Sequence, residues 1–244
     1  MTPMDFIIPD WPAPPSIGAA STTRQGGVSV APFDSFNLAG HVGDAPEAVA
    51  ANRALLVKSL SLPAEPVWLS QMHDTTVVDA GHSEPGVEAD ASVAFGPDVV
   101  CAVMTADCLP ILLCHERGDR VGVVHAGWRG LSTGVLEAAV RALGGGDGLM
   151  AWLGPAIGPE AFQVGGEVRE AFLDRDPGAA IAFRPDGDRW LADLYTLARR
   201  RLAARGVTTV YGGGWCTFSD TQRFFSYRRE PRTGRMASLI WIKR

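Results

Sequence analysis

No stretch of this sequence is apolar for long enough to cross a bilayer as a helix. The longest candidate, Val99 to Cys114, is interrupted by Asp107 and Pro110, whereas a spanning helix needs about 20 consecutive apolar residues. The opening MTPMDFIIPDWPAPP has neither a basic start nor a long apolar stretch, so no secretory leader is expected and the expected compartment is the cytoplasm. Basic runs are scarce as well. None is longer than Arg199-Arg200-Arg201 and the formal net charge is −5, so charge alone offers no nucleic-acid or membrane partner. Cysteine is sparse, with four in 244 residues. That does not make a disulfide framework, and in a reducing compartment such thiols are buried, catalytic or metal-bound.

What is present is ordinary globular material, 46% hydrophobic and 20% charged, long enough to bury a substantial core without staples. Asp44-Ala45-Pro46-Glu47 predicts a helix start with Asp44 as N-cap, running to about Ser59. Val67–Ser70, Val99–Thr105 and Val121–Val124 predict buried strands. Val135, Leu136, Ala139, Val140 and Leu143 predict a helix over roughly 132–143, and the pattern returns from Trp190 to Arg205. Gly144–Gly148 is a turn, and Phe224–Tyr227 and Ala237–Ile242 are strand-like again. Helices and strands mix without a regular βαβ alternation, so the expected class is α+β.

Five histidines and four cysteines limit the chemistry. His73, Cys108 and His125 each lie at or just past the end of an apolar run, so three segment ends can converge on one point. Thiolate and imidazole together suit zinc, and a catalytic zinc keeps three protein ligands and one open position. Spacing alone leaves buried structural side chains equally open, because no Cys-x-x-Cys or His-x-x-x-His unit ties the three together. A structural zinc would usually have a fourth protein ligand. Gly130-Leu131-Ser132-Thr133-Gly134 has the spacing of a hydrolase nucleophile elbow, but that fold places its histidine after the serine and none follows His125. Cys101 and Cys114 read as core, and His82 and His115 as solvent-facing.

Several segments together resemble a known family. They are Ser21–Ser29, Phe36–Asp44, Gln71-Met72-His73, Ala106-Asp107-Cys108, His125–Gly130, and Cys216-Thr217 followed by Phe225–Arg229. In this order they resemble the YfiH/laccase-domain family, once labelled polyphenol oxidases and also peptidoglycan-editing factors. The resemblance spans nearly the whole chain and implies a single domain over 1–244. The implied fold is a mixed-sheet αββα sandwich, similar to a bacterial cytotoxic-necrotizing-factor-like fold. It also implies metal ligation by His73, Cys108 and His125, with zinc as the cofactor and copper as the alternative.

The implied activity is phosphorolysis of adenosine, inosine and methylthioadenosine, with adenosine deamination. The family labels leave two alternatives: a hydrolase that edits a mis-incorporated amino acid in a peptidoglycan precursor, and a copper polyphenol oxidase. Gly127–Gly130 leads into a predicted helix, so Arg129 is a candidate phosphate ligand. Arg24 and His41 are further anion candidates and Asn37 a sugar or base contact, each with a structural role as the alternative. Asp107, beside Cys108, is a proton carrier, an orienting group or a turn former. Cys216 is assigned to core packing, and Arg228 and Arg235 to the surface or the pocket edge. The expected partners are a small nucleoside and phosphate; oligomeric state is left open.

Overall fold

Period-two alternation along the central strands decides which side chains enter which layer. The protein is described by a computed structural model over residues 4–244, so Met1–Pro3 of the opening stretch lie outside it. In chain order the strands and α-helices are β1 (Phe6–Ile7), β2 (Ile17–Thr22), α1 (Pro46–Ser59), β3 (Val77–Asp79), β4 (Ala91–Ala94) and β5 (Val100–Thr105). β6 (Leu109–His115), β7 (Val121–Ala126), α2 (Trp128–Thr133), α3 (Val135–Ala142), β8 (Leu149–Leu153) and β9 (Gln163–Val164) follow. The chain then runs through α4 (Gly166–Leu173), β10 (Phe183–Asp186), β11 (Arg189–Ala192), α5 (Leu194–Ala203), β12 (Thr209–Gly212) and β13 (Met236–Ile242).

Two sheets carry the architecture. One has the order β1-β2-β13-β5 and is antiparallel; the other has the order β12-β8-β6-β7-β4-β3 and is mixed, with parallel pairs at both edges. Cys101 and Val103 of β5 and Ile240 and Ile242 of β13 meet Leu112 and Cys114 of β6 and Val121 and Val123 of β7 between the sheets. The alternate residues face outward. Val100, Ala102, Leu239 and Trp241 pack with Leu56 of α1, while Leu109, Ile111 and Leu113 pack with α3, α4 and α5. The result is the expected αββα sandwich, with a small β10-β11-β9 sheet added beside it. A fully buried Leu, Ile or Val contributes roughly 1.5–3 kcal/mol, so the residues that serve both faces of β6 make it a main stabilising strand.

Several expectations are corrected in detail. Val67–Ser70 is not a strand; it makes isolated bridges to Cys101 and Glu88. Its alternating burial is real, because Trp68 and Leu69 enter different core layers, but no continuous ladder forms. The helix expected over 132–143 is two helices, broken at Gly134, whose φ of +116° favours glycine. Trp190–Ala192 belongs to β11, and α5 starts only after Asp193, whose carboxylate accepts the Tyr195 and Thr196 amides. Phe224–Tyr227 is not a strand but irregular chain running into a turn at Tyr227, with its two phenylalanines fully buried. Asp44 does not cap α1: Ala45 is the N-cap, and Asp44 Oδ2 accepts from Ser29 and Asn37 instead. His115, expected in solvent, is buried at the end of β6, where its Nδ1 accepts the Arg117 amide.

Candidate metal centre

Cys108 sits between a turn and a strand. Asp107 holds a φ of +95°, a rare conformation for a non-glycine residue, and the chain enters β6 one residue after Cys108. The turn is fixed from three sides. Asp107 Oδ1 accepts from Thr217 Oγ1 at 2.6 Å, Oδ2 accepts from the Arg228 amide at 2.7 Å, and its carbonyl accepts from the Ile157 amide. In the β6–β7 ladder His125 lies opposite Pro110, which brings its ring beside Cys108. His73 comes from the loop before β3 with a φ of +61°. Its ring meets that of His125 edge to face, with centroids 4.7 Å apart.

The ligand atoms of His73, Cys108 and His125 lie within 4.8 Å of one another, and among the described residues no other such cluster occurs. That spread is comparable to two ligand bonds of about 2.0–2.3 Å. Two imidazoles and a thiol are a donor set that zinc accepts, so the residues fit a metal ion.

A residue not singled out from the sequence organises this group. Asp90 is fully buried. Its Oδ1 accepts from His125 Nδ1 at 2.7 Å and from the His73 amide at 3.0 Å. Its Oδ2 accepts from the Met72 and Asp74 amides at 3.0 and 2.8 Å. Burial raises the Asp90 pKa, but the hydrogen bonds from His125 and from the Asp74 and His73 amides outweigh it and hold it at about 2. For His125, burial pulls the pKa down, yet Cys108 and Asp90 push it up to about 9. His73 as a whole residue is exposed, but its ring is crowded. Burial and the neighbouring His125 lower its pKa, assisted by Arg129 and Arg235 and opposed by Asp90.

The cluster opens into a cavity of about 520 Å³. One part of the lining carries three guanidinium groups, Arg129, Arg228 and Arg235, with the His41 imidazole beside them. The rest is largely apolar, with Met104, Trp128, Ile157, Phe162 and Tyr227. His41 is exposed overall, yet burial of its ring, followed by the charges of Arg235 and Arg53, lowers its pKa. Arg235 is held by the carbonyls of Thr233 and Gly234 through one nitrogen and lies over the Tyr227 ring. Arg129 is in the first turn of the six-residue α2, not ahead of it, so its place on the cavity wall depends on its side chain rather than on a helix end.

Other residues assigned from the sequence lie elsewhere or are already committed. Arg24 is outside the cavity: its guanidinium donates to Asp34 and to the Thr221 carbonyl and stacks on Phe225. Asn37 is fully buried and bonded on both ends of its amide, to Ala39, Asp44 and the Arg235 amide. It therefore ties the segment bearing His41 to the start of β13 and is not free to touch a ligand. Asp107 lines the cavity with both carboxylate oxygens already accepting. Cys216 is not core: it is half-exposed on a separate surface hollow, and its sulfur accepts the Gly158 amide. Ser132 is buried within α2 and donates to the Arg129 carbonyl, so no nucleophile elbow exists there.

Residues 18–243 match the family described as multi-copper polyphenol oxidoreductase laccase. The chain is 57% identical to a purine nucleoside phosphorylase of Pseudomonas aeruginosa over 98% of both chains. It is 52% identical to the purine nucleoside phosphorylase YfiH of Escherichia coli, over 97% of this chain and 98% of that one. Among solved structures, a Neisseria meningitidis protein superposes with a TM-score of 0.94 at 49% identity, covering 98% of this chain and 99% of that one. YlmD of Geobacillus stearothermophilus gives 0.86 at 29%, covering 94% and 93%. With matches along nearly all of its length, the chain belongs to the YfiH/laccase-domain family.

Proposed function

We propose that this protein is a zinc-dependent purine nucleoside phosphorylase acting on adenosine, inosine and methylthioadenosine, with an accompanying adenosine deaminase activity. The observation that carries the reading is one cavity bounded by a His-Cys-His donor set, three guanidinium side chains with His41 beside them, and an aromatic wall. The names of the relatives at 57% and 52% identity support the same reaction. The cytoplasm remains the proposed compartment.

In phosphorolysis a phosphate oxygen bonds to the anomeric carbon, the glycosidic C–N bond breaks, and its electron pair leaves with the purine, which takes up a proton. Arg235, His41 and Arg129 hold the phosphate, because guanidinium groups and an imidazole N–H match its oxygens. Trp128, Phe162 and Tyr227 take the flat base. Among the described residues Asp107 is the only carboxylate on the cavity wall, and both of its oxygens are taken by Thr217 and the Arg228 backbone. It positions Cys108 and Arg228 rather than carrying the proton of the departing base. The charge that develops on the purine then falls to the cationic wall. Zinc, when bound by His73, Cys108 and His125, supplies a Lewis acid at the floor of the site.

Zinc is favoured over the copper of the family's description. Oxidation of phenols at the expense of oxygen needs several coppers, and among the described residues only one ligand cluster occurs. The deciding experiment measures phosphate-dependent release of base from adenosine and inosine by protein of known metal content. Cys108→Ala should abolish turnover and metal retention. Arg235→Ala should raise the half-saturating phosphate concentration about tenfold with a smaller effect on nucleoside. Activity against a muramyl amino-acid amide in place of nucleosides would transfer the site to the editing reaction.

A further inference from the structure

We infer that Asp90 is the positioning residue of this centre: one buried carboxylate sets the tautomer of His125 and the backbone of His73 together. The inference rests on the metal reading above. An ionised carboxylate is acceptor-only, with about four lone-pair sites. All four are filled here, by His125 Nδ1, by the amides of Met72 and His73, and by that of Asp74. Two consequences follow from the geometry alone.

The first concerns which ring nitrogen of His125 can ligate. Bonding to Asp90 requires the hydrogen on Nδ1, which leaves Nε2 with its lone pair for the cavity. The backbone reinforces the arrangement, because the His125 amide donates to the Asp90 carbonyl at 2.7 Å. The second concerns His73. Its φ of +61° lies in the left-handed region, which non-glycine residues seldom enter without local support. Three successive amides converging on one carboxylate hold the loop in that shape and thereby aim the imidazole at Cys108. A ligand at one wall of the centre is thus coupled to a ligand at the other through a single side chain that touches neither the metal position nor the cavity.

Asparagine at this position cannot reproduce the arrangement. Its amide offers one oxygen and one NH₂ where four donors converge. If the NH₂ faces His125, Nδ1 must become the acceptor and the proton moves to Nε2, blocking the ligand. If it faces Met72 and Asp74, two donors oppose their amides and the His73 loop is pushed away.

The test compares zinc affinity of wild type and Asp90→Asn by chelator competition, together with ¹⁵N NMR of the histidine rings, which reports where each proton sits. Outer carboxylates of metal-bound histidines are typically worth 10–100-fold in affinity, and a loss in that range is expected. The His125 proton should sit on Nδ1 in wild type; in the variant it leaves Nδ1 when the NH₂ faces His125 and stays there when the NH₂ faces Met72 and Asp74, with zinc affinity reduced in either orientation. Asp79→Asn removes a comparable carboxylate–histidine contact, to His82 at 2.9 Å on the surface, and should leave zinc affinity unchanged. Zinc bound as tightly by Asp90→Asn as by wild type would overturn the inference. Should that variant fail to fold, wild type alone decides: a proton on His125 Nε2 in the zinc-loaded protein is the refuting result, and one on Nδ1 the supporting one. Wild type that takes up no zinc would instead remove the metal centre itself, a failure distinct from an unaltered Asp90→Asn.

Discussion

Gly127 shows how little slack the centre has. A Cβ placed there would lie 2.5 Å from His73 Nδ1 and 3.2 Å from Cys108 Sγ, so even alanine forces one ligand to move. His73 is the one that can yield, because it is the exposed member of the trio while Cys108 is anchored between the fixed Asp107 turn and β6. Overpacking a rigid core usually costs about 1–3 kcal/mol, but here the strain is relieved by swinging the imidazole outward. Gly127→Ala should therefore weaken zinc binding about tenfold or more in chelator competition, while the melting temperature of the metal-free protein moves by only a few degrees. Unchanged zinc affinity would show that the two ligands tolerate a wider spacing than the glycine suggests. The sequence singled out His73, Cys108 and His125 as chemically rare residues at the ends of apolar runs, but only the family resemblance marked them as ligands; the fold brings the three together. Asp90 was missed, because it sits in the polar stretch before β4 and shows no spacing relation to His73 or His125. Only the fold reveals that four donors converge on it. Arg24, by contrast, was conspicuous in its motif because it holds a turn together, and the sequence carries no sign of which partners a guanidinium has found.

At the level of elements, a largely buried ion pair links the helices of one layer. Arg201 of α5 donates to Glu137 of α3 at 2.8 Å and to the Ser132 carbonyl of α2, with the two charged side chains only 10% and 12% exposed. Removing one partner of such a pair leaves a buried charge unanswered, at a cost of about 3 kcal/mol. Arg201→Met keeps most of the packing volume and should lower the melting temperature by roughly 6–12 °C, at about 2–4 °C per kcal/mol for a chain of this size. A shift under about 2 °C would mean that water reaches Glu137 readily. The same layer shows where sequence patterning stops. The apolar spacing of 135–143 correctly identified the buried face of α3. The break at Gly134 was invisible to it, because a glycine inside a periodic stretch reads equally as a tolerated helical residue or as a helix end. Leu191 fell into register with Leu194, Ala198 and Leu202 by coincidence, extending α5 backward into β11. Val67–Ser70 shows the converse: its side chains alternate in burial, but its backbone partner switches from Val100 to Val87 within four residues, so no ladder builds up.

For the molecule as a whole, the three candidate ligands arrive from a loop, from a turn before β6 and from β7, so they come together only when the sandwich forms. Folding and metal uptake are thereby linked, and pH acts on both through the same ring. In the metal-free protein His125 has a pKa of about 9, above its ordinary 6.5. A group whose pKa is raised by folding contributes its full stabilisation below the unfolded value and loses it as pH rises through the folded one. The metal-free protein should thus lose this contribution between about pH 6.5 and 9. Below 6.5 the lowered values of His73 and His41 act the other way, because unfolding lets both rings take up protons. Metal uptake has the opposite slope to the His125 contribution, because the ion must displace the proton that the charged ring holds on Nε2 toward Cys108, while the Nδ1 proton stays on Asp90. Its affinity should rise by about tenfold per pH unit for each proton displaced across that window, and bound metal stabilises in proportion to the logarithm of that affinity. The gap between the melting temperatures of zinc-loaded and chelator-treated protein should accordingly widen steadily from pH 6.5 to 9, measured at constant free zinc. A gap that stays flat or narrows over this interval would mean that no proton leaves His125 on metal binding, and that the ring is not a ligand.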